Sequence, residues 1–128
     1  MIDKFGQVMV YVKNPRAVAD FWVNQIGFVL LHEEKLESGV LSVELSPNNT
    51  SDTNMVLFDR EIVAQMSPEV NLGSPSILFS TYDIKELHDR LKENGVAVGD
   101  ITEMGTMVTF NFPDIEGNYF AVREISKA

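Results

Sequence analysis

The sequence predicts an α+β domain built from two βαβββ modules, because a strand, a capped helix and a closing glycine occur twice in the same order. The helix caps Asn14 and Asp83 are 69 positions apart, and the closing glycines Gly27 and Gly95 are 68 apart. Strand-like segments follow each glycine, which indicates a duplicated module. The two copies are QVMVYVKNPRAVADFWVNQIG (7–27) and SILFSTYDIKELHDRLKENG (76–95).

The first module begins with valine at every second position from 8 to 12, a spacing typical of a strand. Asn14 followed by Pro15 predicts the start of a helix. Its apolar stripe includes Trp22, which we expect in the core, and Gly27 ends the helix. Strands are then predicted over 28–37, 39–46 and 55–59.

The second module repeats this plan after a connection. Segment 60–75 carries two prolines and a glycine without a sustained period, so we predict a linker with one helical turn. Asp83, with Glu86 three residues later, predicts a capped helix. Strands are predicted over 76–81, 96–104, 107–112 and 119–125. One domain, 1–128, would then contain module one (about 1–59), the linker (60–75) and module two (about 76–128).

Composition excludes several classes of function. The chain has 19 acidic and 10 basic residues, a formal net charge of −9. We therefore expect neither nucleic acid nor an anionic membrane as a partner, since both need clustered Lys and Arg. No cysteine is present, which excludes disulfides and thiolate chemistry. The first residues lack the apolar run of a signal peptide, so the expected location is the cytoplasm.

Strand parity predicts two different sheet faces. One face carries valines and phenylalanines that suit a helix stripe, and the other mixes apolar and polar side chains. Such a mixture predicts a small-molecule cavity, with a partner-subunit interface or burial under 60–75 as alternatives. The mixed face comprises Gln7, Met9, Tyr11, Ser76, Leu78, Ser80, Met107, Thr109, Asn111, Tyr119, Ala121 and Arg123.

Within this face we predict a ligand-binding set with separate roles. Polar contacts would come from Gln7, Ser76, Tyr119 and Arg123, and apolar walls from Met9, Leu78 and Met107. The planar fork of Arg123 suits a carboxylate or phosphate on the ligand. Its alternatives are a salt bridge to Glu124 or Glu44, or plain exposure to solvent. Met55 and Met104 would add an adaptable lining, or simple filler.

Three segments carry a family likeness. VMVYVKNPRAVADFWVNQIGF (8–28), SILFSTYDIKELHDRLKENGV (76–96) and FPDIEGNYFAVRE (112–124) resemble the vicinal-oxygen-chelate superfamily of glyoxalase I, bleomycin-resistance proteins and extradiol dioxygenases. The resemblance implies paired βαβββ modules whose strands curl around a cup, with the helices outside. It also implies a homodimer and, in the metal enzymes, ligands from the first and last strand of each module.

The residues at those ligand positions argue against a metal. The likeness places the ligands at Gln7, Ser76, Ala121 and either Leu57 or Phe58. An alanine has no donor, and a neutral amide does little to offset a dication's lost hydration. We therefore expect no metal cofactor and no assigned catalytic residue. A rebuilt site would have to use His32, Glu34 or Glu44, whereas His88 is expected on a helix flank near solvent.

Together these observations predict a glyoxalase/bleomycin-resistance-like protein that binds a small organic ligand without the usual family metal. One alternative is a metal-dependent lyase, isomerase or dioxygenase in which Gln7 and relocated acids such as Glu44 hold the ion. Another is a non-catalytic module that interacts with a partner subunit.

Overall fold

The structure is a computed structural model that describes residues 1–126. The chain forms two compact units, Met1–Pro75 and a second that begins at Ser76. Each unit contains the predicted βαβββ arrangement, so the α+β fold class is confirmed. The first unit comprises β1 (Gln7–Val12), α1 (Pro15–Phe21), a π-helical turn (Trp22–Ile26), β2 (Val29–Leu36), β3 (Gly39–Ser46), β4 (Asn54–Asp59) and α2 (Arg60–Met66). The second comprises β5 (Leu78–Thr81), α3 (Ile84–Glu93), β6 (Thr102–Met104), β7 (Met107–Pro113) and β8 (Tyr119–Glu124).

The first sheet has the strand order β1-β4-β3-β2, with β1 parallel to β4 and the other neighbours antiparallel. Helix α1 covers one face of this sheet. Val10, Leu57 and Val43 occupy one row across β1, β4 and β3, and all three are fully buried. Trp22 is also fully buried, as predicted, so the apolar stripe of the helix forms the core of this unit.

Helix α1 begins as the sequence predicts. The Asn14 side-chain oxygen accepts a hydrogen bond from the Ala17 backbone N–H at 3.1 Å, and Pro15 occupies the first turn. The helix then widens into the π-helical turn, in which the Gly27 N–H donates to the Trp22 carbonyl at 2.9 Å. Gly27 has φ of 98°, a left-handed conformation that glycine adopts at little cost.

The predicted linker contains more helix than expected. Instead of one turn, α2 extends over seven residues, directly after β4. The Asp59 carboxylate accepts hydrogen bonds from the backbone N–H groups of Glu61 and Ile62, at 3.0 and 3.1 Å. Asp59 therefore ends a strand and caps a helix at once. The prediction was wrong because it assigned Asp59 only to the strand.

The second sheet has the strand order β5-β8-β7-β6, with β5 parallel to β8 and the other neighbours antiparallel. Helix α3 begins where predicted, since the Asp83 carboxylate accepts from the Glu86 N–H at 3.1 Å. Ile84 and Leu91 of α3 are buried, and α3 packs against β7 and β8. Phe110 and Val122 are opposite each other beneath it, and both are buried.

Two strands of this unit are shorter than predicted. β5 begins at Leu78 rather than at 76, and only Thr102–Met104 of the predicted strand 96–104 pairs with a neighbour. The Val96 N–H donates instead to the Leu91 carbonyl at the end of α3, and the Gly99 N–H donates to the Asn111 carbonyl. These bonds close the helix and anchor the loop, so no continuous ladder forms. Nowhere in residues 1–126 is there a helix long and apolar enough to cross a membrane.

Candidate functional site

We call the sheet face away from α1 or α3 the far face of each unit. In the first unit, alternation along β1 points Gln7, Met9 and Tyr11 to the far face, as predicted. Strand pairing adds three rows to it. The rows are Gln7–Asn54, Met9–Val56–Glu44–His32 and Tyr11–Phe58–Ser42–Glu34.

A cavity of about 270 Å³ lies on the far face of the first unit. Helix α2 and the residues after it cover this part of the sheet, but leave space beneath them. The rings of Tyr11 and Phe58 have centroids 6.5 Å apart and form an aromatic side of the wall. The lining is Met9, Tyr11, Leu41, Phe58, Val63, Met66, Ser67 and Val70. The cavity and the coverage by 60–75, which the sequence posed as alternatives, therefore occur together.

A polar cluster lies on the same far face. The Glu44 carboxylate oxygen Oε2 accepts from Gln7 Nε2 at 3.0 Å and from Asn54 Nδ2 at 3.3 Å. His32 is opposite Glu44 on β2, but its Nε2 lies 3.1 Å from a Glu34 oxygen. Between residues 1 and 126, no three His, Cys, Asp or Glu side chains converge closely enough to hold a metal ion.

The far face of the second unit is more polar. One row crosses all four strands as Ser80–Arg123–Thr109–Thr102, and the next is Leu78–Ala121–Asn111. Leu78, Ser80, Thr102 and Asn111 are exposed, whereas Ala121, Arg123 and Thr109 are half-buried. This surface therefore presents hydroxyl, amide and guanidinium groups around a small apolar patch.

Arg123 has no ionic partner within the described part of the chain. Its Nε is buried and makes no hydrogen bond there. Of the two partners considered from the sequence, Glu124 accepts a hydrogen bond from the Ile84 N–H at 2.9 Å, which anchors α3 to β8. Glu44 bonds to the amides of Gln7 and Asn54 instead. The guanidinium thus remains available on the far face.

The other predicted contact residues differ in how exposed their side chains are. Ser76 precedes β5 and is exposed, so the strand alternation does not fix its direction. Tyr119 is 63% exposed and Leu78 45%, whereas Met107 is half-buried. Met104 is largely exposed. Met55 is 4% exposed on the core side of β4, which agrees with the filler alternative rather than with a cavity lining.

Sequence reasoning missed the residues that complete the first unit's site. Asn54 was placed in a polar loop, but it is the first residue of β4 and pairs with Gln7. Val63, Ser67 and Val70 were treated as linker. The available signal was Asp59, because an aspartate before a short apolar run predicts a helix start.

The strand register locates the four positions at which the likeness places metal ligands. Leu57 is fully buried in the core, and Phe58 is opposite Tyr11 on the far face. Ala121 is opposite Leu78. Only Gln7 and Ser76 carry an oxygen donor, and both are neutral. Zinc and other divalent transition metals are held mainly by imidazole, thiolate or carboxylate groups, so neither of these neutral side chains suits such a metal.

The family model described as Glyoxalase/Bleomycin resistance protein/Dioxygenase superfamily matches residues 4–122. The chain belongs to this superfamily. The crystal structure of TnmS3, an antibiotic binding protein from Streptomyces sp. CB03234, is 28% identical with a TM-score of 0.79, and the match covers 98% of each chain. The uncharacterized protein YetH of Bacillus subtilis (strain 168) is 27% identical over 125 residues, 97% of this chain and 100% of YetH.

Membership of the glyoxalase/bleomycin resistance superfamily does not decide between binding and catalysis. The same fold occurs in a lactoylglutathione lyase from Agrobacterium tumefaciens, with a TM-score of 0.75 over 97% of this chain and 95% of that one. At 16% identity, this likeness concerns the fold alone. The function therefore depends on the chain's own side chains and not on the fold alone.

Proposed function

We propose that this protein binds a small organic ligand on the far face of its first unit, and that it does so without a divalent metal. The observation that carries the proposal is the cavity of about 270 Å³ with an apolar and aromatic lining. Binding sites for small molecules combine such walls with a few fixed polar groups. A ligand there would be sequestered or sensed rather than transformed.

The wall chemistry suits an aromatic or otherwise planar ligand. Tyr11 and Phe58 offer ring surfaces, and Met9 and Met66 offer flexible thioethers that adapt to irregular shapes. The only lining side chains with a polar group are Tyr11 and Ser67. The antibiotic-binding relative at 28% identity supports the same class of function.

Independence from metal rests on the donor set. The positions that the family likeness assigns to ligands carry an amide and a phenyl ring or leucine in the first unit, and a hydroxyl and a methyl group in the second. None of these carries charge, so they would not offset the hydration that a dication loses. We therefore propose that no Lewis-acid step takes place at these positions.

The rival is a metal-dependent enzyme of the superfamily with relocated ligands. The hydrogen bond of 3.0 Å between Gln7 and Glu44 favours it, because it brings a position that the family likeness assigns to a metal ligand beside a carboxylate. Glu44 is the one ionised member of that cluster, since Gln7 and Asn54 are neutral. If the rival holds, purified protein will contain stoichiometric Ni, Zn, Mn or Fe that is lost in Glu44→Gln.

A filled-cavity variant tests the binding proposal directly. N-phenylnaphthylamine, a neutral aromatic fluorophore that brightens in apolar surroundings, serves as the probe. Val63→Phe inserts a ring into the cavity and should weaken binding about tenfold, because the ring occupies volume that the probe needs. Fluorescence titration gives Kd for each protein.

The matched control is the same substitution at Val29, an exposed residue of β2. Val29→Phe should leave Kd unchanged. Circular-dichroism melting checks that both variants fold. Failure of the wild-type protein to bind the probe, or equal Kd values in both variants, would refute the proposed site.

A further inference from the structure

We infer that the far face of the second unit is an anion-binding site centred on Arg123, which takes a carboxylate or a related oxyanion. This inference goes beyond the proposed function, because it adds a second site with its own chemical class of ligand. It concerns different residues from those of the cavity in the first unit.

The geometry of the row supports an oxyanion. Arg123 lies between Ser80 on β5 and Thr109 on β7, and both are its direct partners in the strand register. Direct cross-strand neighbours on one face have Cβ atoms about 4.5–5.5 Å apart, within reach of a single carboxylate. A guanidinium fork flanked by two hydroxyl donors matches the acceptor-only oxygens of that group.

The charge balance makes the missing partner of Arg123 informative. The chain has 19 acidic and 10 basic residues, and within residues 1–126 two of its four arginines form ion pairs. Arg16 pairs with Asp20 and Glu33, and Arg90 pairs with Glu86. Arg123 has no such pair within residues 1–126, although its Nε is buried. A partly desolvated cation without a counter-charge costs free energy that a bound anion would recover.

Nearby acids of this sheet point elsewhere. Glu103 of β6 is opposite Val108, which lies on the same face of β7 as the buried Phe110. Glu103 therefore does not belong to the Arg123 row. Glu124 follows Arg123 in β8 and accepts from the Ile84 N–H. The far-face rows around Arg123 contain only hydroxyl, amide and aliphatic side chains, so they do not repel an anion.

Isosteric probes of different charge test the inference. We would titrate the ¹⁵N-labelled full chain with benzoate and with benzamide, which share a ring and differ in charge. Phenyl phosphate and inorganic phosphate separate a carboxylate preference from a general oxyanion preference. Backbone amide shifts at Ser80, Thr109 and Arg123 report the location, and their concentration dependence gives Kd.

We expect benzoate to bind about tenfold more tightly than benzamide, and Arg123→Gln to abolish this ratio, since hydrogen bonds between two charged groups are stronger than those to a neutral amide. Arg90→Gln removes the same charge on α3, on the opposite side of the sheet, and should preserve the ratio. Arg123→Lys keeps the charge without the fork and should give an intermediate ratio.

Each outcome decides the matter. Equal affinities for benzoate and benzamide in the wild-type protein, or an unchanged ratio in Arg123→Gln, would overturn the inference. If N-phenylnaphthylamine binds but no anion shifts the amides of this row, the proposed function stands and the anion site fails. If no probe binds, both fail. Arg123→Lys supplies the same comparison should Arg123→Gln not fold.

Discussion

Asp114 determines the turn that leads into the last strand. Its side chain is 5% exposed, and its Oδ1 accepts from the backbone N–H groups of Glu116 and Asn118, both at 2.9 Å. Oδ2 accepts from Asn118 Nδ2 at 3.1 Å. Gly117, with φ of 84°, completes the turn in a conformation that favours glycine. Because Tyr119 and Arg123 lie on the strand that follows, this turn positions part of the candidate site.

Substituting Asp114 should destabilise the protein strongly. Asp114→Ala leaves buried donors without an acceptor, and we expect the free energy of unfolding to fall by about 2–3 kcal/mol. Urea denaturation followed by circular dichroism measures this change. Asp100→Ala, at an exposed position, is the control and should alter stability by less than about 0.5 kcal/mol. Equal losses in both variants would contradict this role for Asp114.

Single residues were only partly predictable from the sequence. The turn at 113–118 lies between the predicted strands 107–112 and 119–125, but the burial of Asp114 was not predicted, because local sequence does not show which donors surround a side chain. Arg123 was correctly assigned to the far face by parity. Whether it paired with Glu124 depended on the position of the Ile84 N–H, which lies 40 residues earlier.

Among the elements, helices α1 and α3 begin with the same kind of side-chain cap. Asn14 and Asp83 each accept a backbone N–H at 3.1 Å from the residue three positions later. Each cap satisfies a donor that the first helical turn leaves without a partner. The two modules therefore begin their helices by the same mechanism, with an amide in one and a carboxylate in the other.

Removing either cap should cost similar amounts of stability. We expect Asn14→Ala and Asp83→Ala each to lower the free energy of unfolding by about 1 kcal/mol. Asn14→Ser and Asp83→Ser retain a capping oxygen and should recover most of that loss. Urea melts of the four variants measure the effect, and a serine variant as unstable as its alanine counterpart would argue against capping.

At the level of elements, the sequence predicted the strands with strong alternation and the helices with caps. It failed where an element depended on distant partners. Residues 96–101 looked like part of a strand, but their N–H groups bond to α3 and to Asn111. Helix α2 has only seven residues and none of them is fully buried, so no helical period revealed it.

For the molecule as a whole, the proposal that no metal takes part leads to a simple expectation. Dialysis against EDTA should leave the melting temperature and the Kd for N-phenylnaphthylamine unchanged, because a ligand or ion that binds the native state raises stability only while it is bound. Differential scanning fluorimetry before and after chelation gives the result. A fall in melting temperature that Ni, Zn, Mn or Fe restores would favour the rival enzyme.

The fold class was predictable because the pattern of strand, capped helix and closing glycine occurs twice in the sequence. Each copy alone carried a modest signal, and the pair in the same order indicated βαβββ modules. The site was less predictable, since the cavity forms where Val63 and Val70 pass over Tyr11 and Phe58. This coverage depends on the path of the connecting segment 60–75. The segment has no periodic sequence pattern from which that path could be predicted.

The π-helical turn in the first unit explains why the two copies are out of step by one residue. Asn14 and Gly27 are 13 positions apart, whereas Asp83 and Gly95 are 12 apart. The wider turn, in which the Gly27 N–H reaches back five residues to Trp22, accommodates one additional amino acid without displacing the strand that follows. The two copies can therefore be aligned with a single insertion within 22–26, and a deletion there would restore an ordinary α-helical turn.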